Sequence, residues 1–254
     1  MTSINLLNGK LFFPFIAPPN GGKGTQTLAL LKAFPDVLTK IDMGGLLRAA
    51  AADPNNTLGE AIRTAQNAGQ LVDISIVMGV LAEGLAAEAQ KMPSVQGFLL
   101  DGFPRSVEQY TALKGLCAQH GTVMAKAYYL DVPADVIIAR ASGRVFDQTT
   151  HQPYNLNNPE LYPPAYAGAK AQAGFELGAY LAAHNLYQRE DDKAETVQNR
   201  LDGFAKDTLL MVDAFDADGV LVRLDGTEAP EALTQTLIAQ VGTILTPNKL
   251  QKSI

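Results

Sequence analysis

The chain has 254 residues, 47% of them hydrophobic, which suits one large domain or one core with insertions. Its net charge of −6, with no lysine or arginine run, argues against nucleic acid or an anionic membrane as partner. The single cysteine, Cys117, excludes an internal disulfide framework and a multi-cysteine zinc site. His120, His151 and His184 are too dispersed to suggest a metal cluster, so no structural zinc is expected.

In chain order, the first expected strand is Leu11–Ile16. Pro14 and the glycine-rich stretch behind it interrupt this apolar run, which is therefore read as neither signal peptide nor membrane span, and a cytoplasmic protein is expected. Further strands are expected at Leu38–Ile41, Gly97–Asp101, Lys126–Asp131 and Val220–Leu224. Helical patterns lie at Lys23–Phe34, Leu58–Ala68, Asp73–Gln90, Ser106–Gln119, Lys193–Phe215 and Pro230–Leu245. Asp192 and Glu195 form a capping-box pattern at the start of the Lys193 helix. The strands are nearly continuously apolar, as in a parallel sheet covered on both faces. Strand–helix alternation thus predicts an α/β fold, a doubly wound five-stranded parallel sheet flanked by helices, with ligands at the carboxyl ends of the strands. Pro14 is awkward for a central strand because it cannot donate to the ladder.

Between the first strand and helix stands Ala17-Pro18-Pro19-Asn20-Gly21-Gly22-Lys23-Gly24-Thr25-Gln26. Glycines let backbone N–H groups approach an anion, the helix presents its positive N-terminus, and Lys23 adds a full charge. The prolines carry no N–H, so the donors for phosphate must come from Asn20, Gly21, Gly22, Lys23, Gly24 and Thr25. The bland alternative is a glycine-rich turn that only joins strand to helix. From Gly143 to about Asp192 no strong periodicity appears; the segment holds Pro153, Pro159, Pro163 and Pro164 and five of the eight tyrosines. Such a stretch is either disordered or a functional lid, and its tyrosines and flanking arginines favour a folded, phosphate-covering lid.

Several motifs occur together in one order. They are the Gly-Lys-Gly-Thr-Gln run, Ile41-Asp42-Met43-Gly44-Gly45-Leu46-Leu47-Arg48, Gly69-Gln70-Leu71-Val72, Gly97 through Asp101-Gly102-Phe103-Pro104-Arg105, Arg189-Glu190-Asp191-Asp192, and Asp225-Gly226-Thr227. The set resembles the adenylate kinases of the nucleoside monophosphate kinase family, in their long-lid form, over about Leu11 to Leu245. The resemblance implies a single P-loop kinase domain over residues 1–254, with a monophosphate-binding insertion at 42–72 and a lid at 143–192. It implies transfer of the ATP γ-phosphoryl group to AMP with Mg²⁺, in a monomer.

Charge supports this independently. Phosphoryl transfer needs two polyanions aligned and their charge neutralised, and arginine grips phosphate bidentately. Six of the eight arginines (Arg48, Arg105, Arg140, Arg144, Arg189 and Arg200) fall where the resemblance places phosphate-binding arginines. By the same resemblance Lys23 reaches the β- and γ-phosphates. Thr25 and Asp101 stand near the metal, Asp101 through water. Arg140, Arg144, Tyr154 and the main chain near Glu228 serve ATP. Met43, Arg48, Gln70, Val72, Gly102, Arg105 and Gln109 serve AMP, and Arg189 and Arg200 bridge both nucleotides. Lys23, Arg105, Arg140, Arg189 and Arg200 are the implied catalytic set.

The chain departs from the family's Ser-Thr-Gly-Asp at Asp42-Met43-Gly44-Gly45. Ala17 stands for a glycine and Val145 for an arginine. Two rival readings remain, a kinase for another monophosphate such as UMP, CMP or dAMP, and a nucleotide-binding regulator without catalysis.

Overall fold

The computed structural model describes residues 6–245 except Gly69, His151, Glu190, Asp191 and Lys193. Four motif or helix-start positions and one histidine therefore lie outside the described residues. The chain divides into two compact units. One comprises the segment through Ala17, Gly21–Asp131 and the segment from Phe204. The other comprises Pro18–Asn20 and Val132–Gly203.

The first unit is built on strands β1 (Leu11–Ile16), β2 (Leu38–Asp42), β3 (Gly97–Asp101), β4 (Val123–Met124), β5 (Ala127–Asp131) and β9 (Leu221–Asp225). Their order is β2-β3-β1-β5-β9, with β4 also paired to β1, and every pairing is parallel. The expected five strands are all present; β4 is an addition, because two residues carry no readable pattern.

Alternate residues of the strands enter two separate layers. Phe12, Ile41, Phe98 and Leu100 pack with Leu81, Leu85 and Leu113, from helices α4 (Ile74–Lys91) and α5 (Val107–His120). Phe13, Phe15, Leu38, Leu99, Tyr128 and Leu130 pack with Leu30 of α1 (Lys23–Ala33) and with Leu233, Leu237 and Val241 of α11 (Pro230–Leu245). A strand buried on both faces must be apolar at every position, which explains the continuous runs.

Pro14 sits in the central strand opposite Leu100 of β3. The carbonyls of Lys10 and Phe12 accept from Val123 and Ala125, so alternation turns Pro14 toward the same edge. There the pairing passes from β4, at Leu11 and Phe12, to β5, at Phe15 and Ile16. The missing donor thus falls in a gap of the ladder.

Two further elements depart from expectation. Residues 43–52 form a helix, α2 (Met43–Ala52), which precedes α3 (Gly59–Asn67). Its two glycines conceal it in the sequence, but Asp42 caps it by accepting from the Gly45 N–H at 3.0 Å. The long expected helix from Lys193 is instead α9 (Ala194–Gly203), a π-helical turn at Phe204–Thr208 and α10 (Leu209–Ala217). The break follows Gly203, a residue that holds helical geometry weakly, and coincides with the boundary between the units.

The second unit contains α6 (Ala134–Gly143), which the sequence pattern did not reveal, packed on α9 through Ile137, Ala141, Val197 and Leu201. The described residues of 143–192 are folded. They form an antiparallel sheet, β7-β6-β8, from β6 (Arg144–Asp147), β7 (Pro153–Asn155) and β8 (Leu186–Tyr187), with short helices α7 (Tyr166–Lys170) and α8 (Leu177–Ala183). Their core is aromatic. Tyr166 meets Tyr162, Phe175 and Tyr180 at centroid distances of 4.9, 5.9 and 5.2 Å, around Val145, Leu156 and Leu186. Val145, where the resemblance expects arginine, is one of these core residues. Four of the five tyrosines thus pack in the segment's hydrophobic core, and Tyr187 lies against Phe146.

Removing the Tyr166 ring with Tyr166→Ala should therefore cost about 3–5 kcal/mol of local stability. Tyr180→Phe, which deletes a hydroxyl donating to the Pro164 carbonyl at 2.7 Å, should cost about 1 kcal/mol. Hydrogen exchange checks both: amides of residues 143–192 should exchange faster while β1 and β3 keep their protection.

Candidate active site

At the carboxyl end of β1 the chain turns through the glycine-rich loop into α1. Gly22 caps that helix at φ 88°, a left-handed conformation suited to glycine, and its carbonyl accepts from Thr25 and Gln26. No acidic residue occupies the first turn of α1, so no carboxylate competes for its positive end. The helix is fixed behind the loop by buried Gln26, which donates to the Pro230 carbonyl and accepts from the Thr234 hydroxyl. Ala17, the loop's first residue, packs its methyl into the layer with Leu30. Gly24 and Thr25 are exposed.

Lys23 Nζ lies 3.0 Å from Oδ1 of Asp101, the last residue of β3. The Asp101 side chain is only 13% exposed, and a second ammonium, Lys40 of β2, stands 3.6 Å from its Oδ2. Parallel register places Asp42 beside Asp101. A Cβ on Gly45 would come within 2.7 Å of Asp42 Oδ2. Position 45, where the resemblance expects a carboxylate, is glycine, and a side chain there would displace the Asp42 carboxylate. Arg48 reaches within 3.9 Å of the same carboxylate from an exposed position on α2.

Beyond β3, Gly102 adopts φ 75° and a cis peptide joins Phe103 to Pro104. The backbone of Arg105 is held on both sides: its N–H donates to Gln109 Oε1 at 2.8 Å, and its carbonyl accepts from the Thr208 hydroxyl at 3.3 Å. Its side chain reaches back, Nε donating to the Gly102 carbonyl at 2.9 Å. Gln109, expected to read a base, is buried, and its amide oxygen holds Arg105. Met43, expected beside the AMP base, is 2% exposed in the apolar layer that includes Val72 and Ile62. Its thioether packs in that layer because α2 turns its first side chain inward. Val72 is buried with it; Gln70 and Glu228 are exposed, the latter in the turn after β9.

The second unit carries the other arginines. The last turn of α6 is capped by side-chain amides: Asn155 donates to the Arg140 carbonyl, Asn157 to that of Ala139 and Gln188 to that of Ser142. Burial lowers the pKa of the Arg140 guanidinium from its ordinary value. Arg144 grips fully buried Asp192 through two bonds, Nε to Oδ2 at 2.8 Å and a terminal nitrogen to Oδ1 at 2.5 Å. The Asn20 amide also donates to this Oδ1, at 3.3 Å, with Asn20 itself at φ 60°. Arg144 and Arg189 both lie over the Phe146 ring, at 5.3 and 4.0 Å from its centroid. Tyr154 is half-buried on β7 opposite Val145, and Arg200 is exposed on α9.

Lys40, Asp42, Phe146 and Asp192 are the residues that sequence reasoning missed or cast only as a cap. Lys40 and Asp42 share one face of β2 by two-residue spacing, a readable signal once Asp101 is placed on the neighbouring strand. Nothing local marks Phe146 or the burial of Asp192.

The donor set suits a hard cation that keeps its waters: Asp101 supplies one carboxylate and Thr25 an exposed hydroxyl, with phosphates to supply the rest. Among the described residues no three His, Cys, Asp or Glu side chains form a metal-holding group, so a chelating cage is not built there.

A sequence model of the family described as adenylate kinase matches residues 15–220. The adenylate kinase of Thermodesulfovibrio yellowstonii is 31% identical over 225 residues, covering 89% of this chain and 96% of that protein. Those of Methanosarcina mazei and Listeria monocytogenes are 33% and 34% identical, each over 83% of this chain and 89% of the relative. With the glycine-rich loop, the parallel sheet and the Lys23–Asp101 pair on one edge, the match spans the fold as well as the motifs. The chain belongs to the adenylate kinase family.

Proposed function

We propose that the chain transfers the γ-phosphoryl group of ATP reversibly to AMP, giving two ADP. The observation that carries this reading is the 3.0 Å Lys23–Asp101 pair where the loop meets the end of β3, in a chain of this family. Lys23 opens the helix behind the glycine-rich loop and is paired with one carboxylate; a polyphosphate on the loop offers it several negative charges against one. Asn20 to Thr25 hold the ATP phosphates, and Arg105, fixed by Gln109 and Thr208, grips the AMP phosphate with Arg48. Arg140, Arg144, Arg189 and Arg200 serve the phosphates from the second unit, Arg144 preset by Asp192. Residues 42–72 form the AMP-binding insertion and 143–192 the lid. Bound Mg²⁺ would be held at Asp101 and Thr25 and would supply charge neutralisation on the transferring phosphoryl group. No helix among the described residues is long and apolar enough to cross a membrane. With the acidic charge and single buried cysteine, we read the protein as a cytoplasmic monomer.

A coupled assay with ATP against a panel of monophosphates tests the reading, and AMP should be the best acceptor. Preference for UMP or CMP would overturn the AMP assignment, and absence of any transfer would favour a binding protein. Lys23→Ala should lower kcat about 10²–10³-fold with a much smaller loss of ATP affinity, since its charge is needed most as the phosphoryl group moves. Near-normal kcat in the folded variant would refute this role.

Burial of Met43 leads to a separate expectation. Met43→Thr should reduce stability by about 2–5 kcal/mol, as a truncated core side chain does, and leave the preference for AMP over other monophosphates unchanged. Thermal unfolding and the same acceptor panel check it; altered selectivity at unchanged stability would place the side chain against the base after all.

A further inference from the structure

Asp101 carries two ammonium groups, one on each oxygen, and only Lys23 belongs to the phosphate loop. Lys40 comes from the adjacent strand β2, where parallel register sets it opposite Leu99, two residues before Asp101. Its Nζ lies 3.6 Å from Oδ2, beyond a normal hydrogen bond, while Lys23 lies at 3.0 Å from Oδ1. Asp101 is 13% exposed and the Lys40 side chain 32%, so this charge acts on a carboxylate largely shielded from water. The nearest alternative anion on the same strand face, Asp42, is engaged by the Gly45 N–H and approached by Arg48.

We propose that Lys40 is a positioning residue that sets the metal affinity of the site by competing for Asp101. The proposal rests on the reading that Asp101 faces the metal. A divalent cation seeking Asp101, directly or through water, meets a carboxylate whose charge is already balanced on both oxygens. Phosphate can draw Lys23 away; Lys40 is anchored on a strand and keeps its charge near Oδ2, so it opposes the incoming cation. The chain thereby holds Asp101 oriented but binds its metal less tightly than a lone carboxylate would.

The test measures Mn²⁺ affinity of the protein saturated with diadenosine pentaphosphate, from the electron paramagnetic resonance signal of free Mn²⁺. Lys40→Gln should bind Mn²⁺ about tenfold more tightly. Lys40→Arg, which keeps the charge, should stay within about twofold of wild type. Asp101→Asn should weaken binding about tenfold or more, and adding Lys40→Gln to it should give no further tightening. Metal-free affinity for the analogue confirms that each variant is folded. Unchanged or weaker Mn²⁺ binding in Lys40→Gln, with Asp101→Asn still impaired, overturns the proposal and leaves the Asp101 reading standing. Unchanged binding in Asp101→Asn overturns that reading, and the proposal with it.

Discussion

A carboxylate at the edge of an apolar sheet must find positive charge, and the first unit is organised around that demand at Asp101. The three residues before it, Phe98, Leu99 and Leu100, are fully buried, so β3 is fixed along its length and delivers its terminal side chain to a set position. A buried charge without partners is strongly unfavourable; here Lys23 arrives from the loop after β1 and Lys40 from β2. Those contacts bring three strand ends and one helix start into register. The same arrangement leaves Lys23 attached to a single carboxylate, a partner that a polyanion can replace.

The second unit solves a related problem with different means. Its arginines are held by an aromatic platform and a buried acid: Phe146 lies beneath Arg144 and Arg189, and Asp192 takes Arg144 through two bonds. Presetting guanidinium groups lowers the ordering cost of gripping phosphate. The tyrosine core of residues 143–192 supplies the rigidity behind β6, the strand that begins at Arg144. Asn20, in the same unit, donates to the same acid, so it and Arg144 share one anion.

Much of the fold was legible because burial on both sheet faces leaves continuous apolar runs, and the five principal strands follow them. The elements that escaped are those without periodicity. β4 has two residues, α2 opens with Gly44-Gly45, and the strands and helices of 143–192 are too short to repeat a pattern. The break after Gly203 was hidden because a single π turn is short and has no residue signature of its own beyond the glycine. At the site, Lys23 and Asp101 were readable from a loop motif and a strand end. Lys40, Phe146 and the burial of Asp192 depend on which distant segments meet, and the burial of Met43 and Gln109 shows only once α2 and α5 are packed. The close approach of Gly45 to the Asp42 carboxylate shows only in the fold.

The central claim is that Lys23 exchanges Asp101 for phosphate when nucleotide binds. A crystal structure with diadenosine pentaphosphate and Mg²⁺ addresses it directly. The account predicts a phosphate oxygen within hydrogen-bond distance of Lys23 Nζ and of the loop N–H groups, with Asp101 turned toward the metal's water shell. A bound analogue whose phosphates lie away from the loop, with Lys23 still on Asp101, would contradict it.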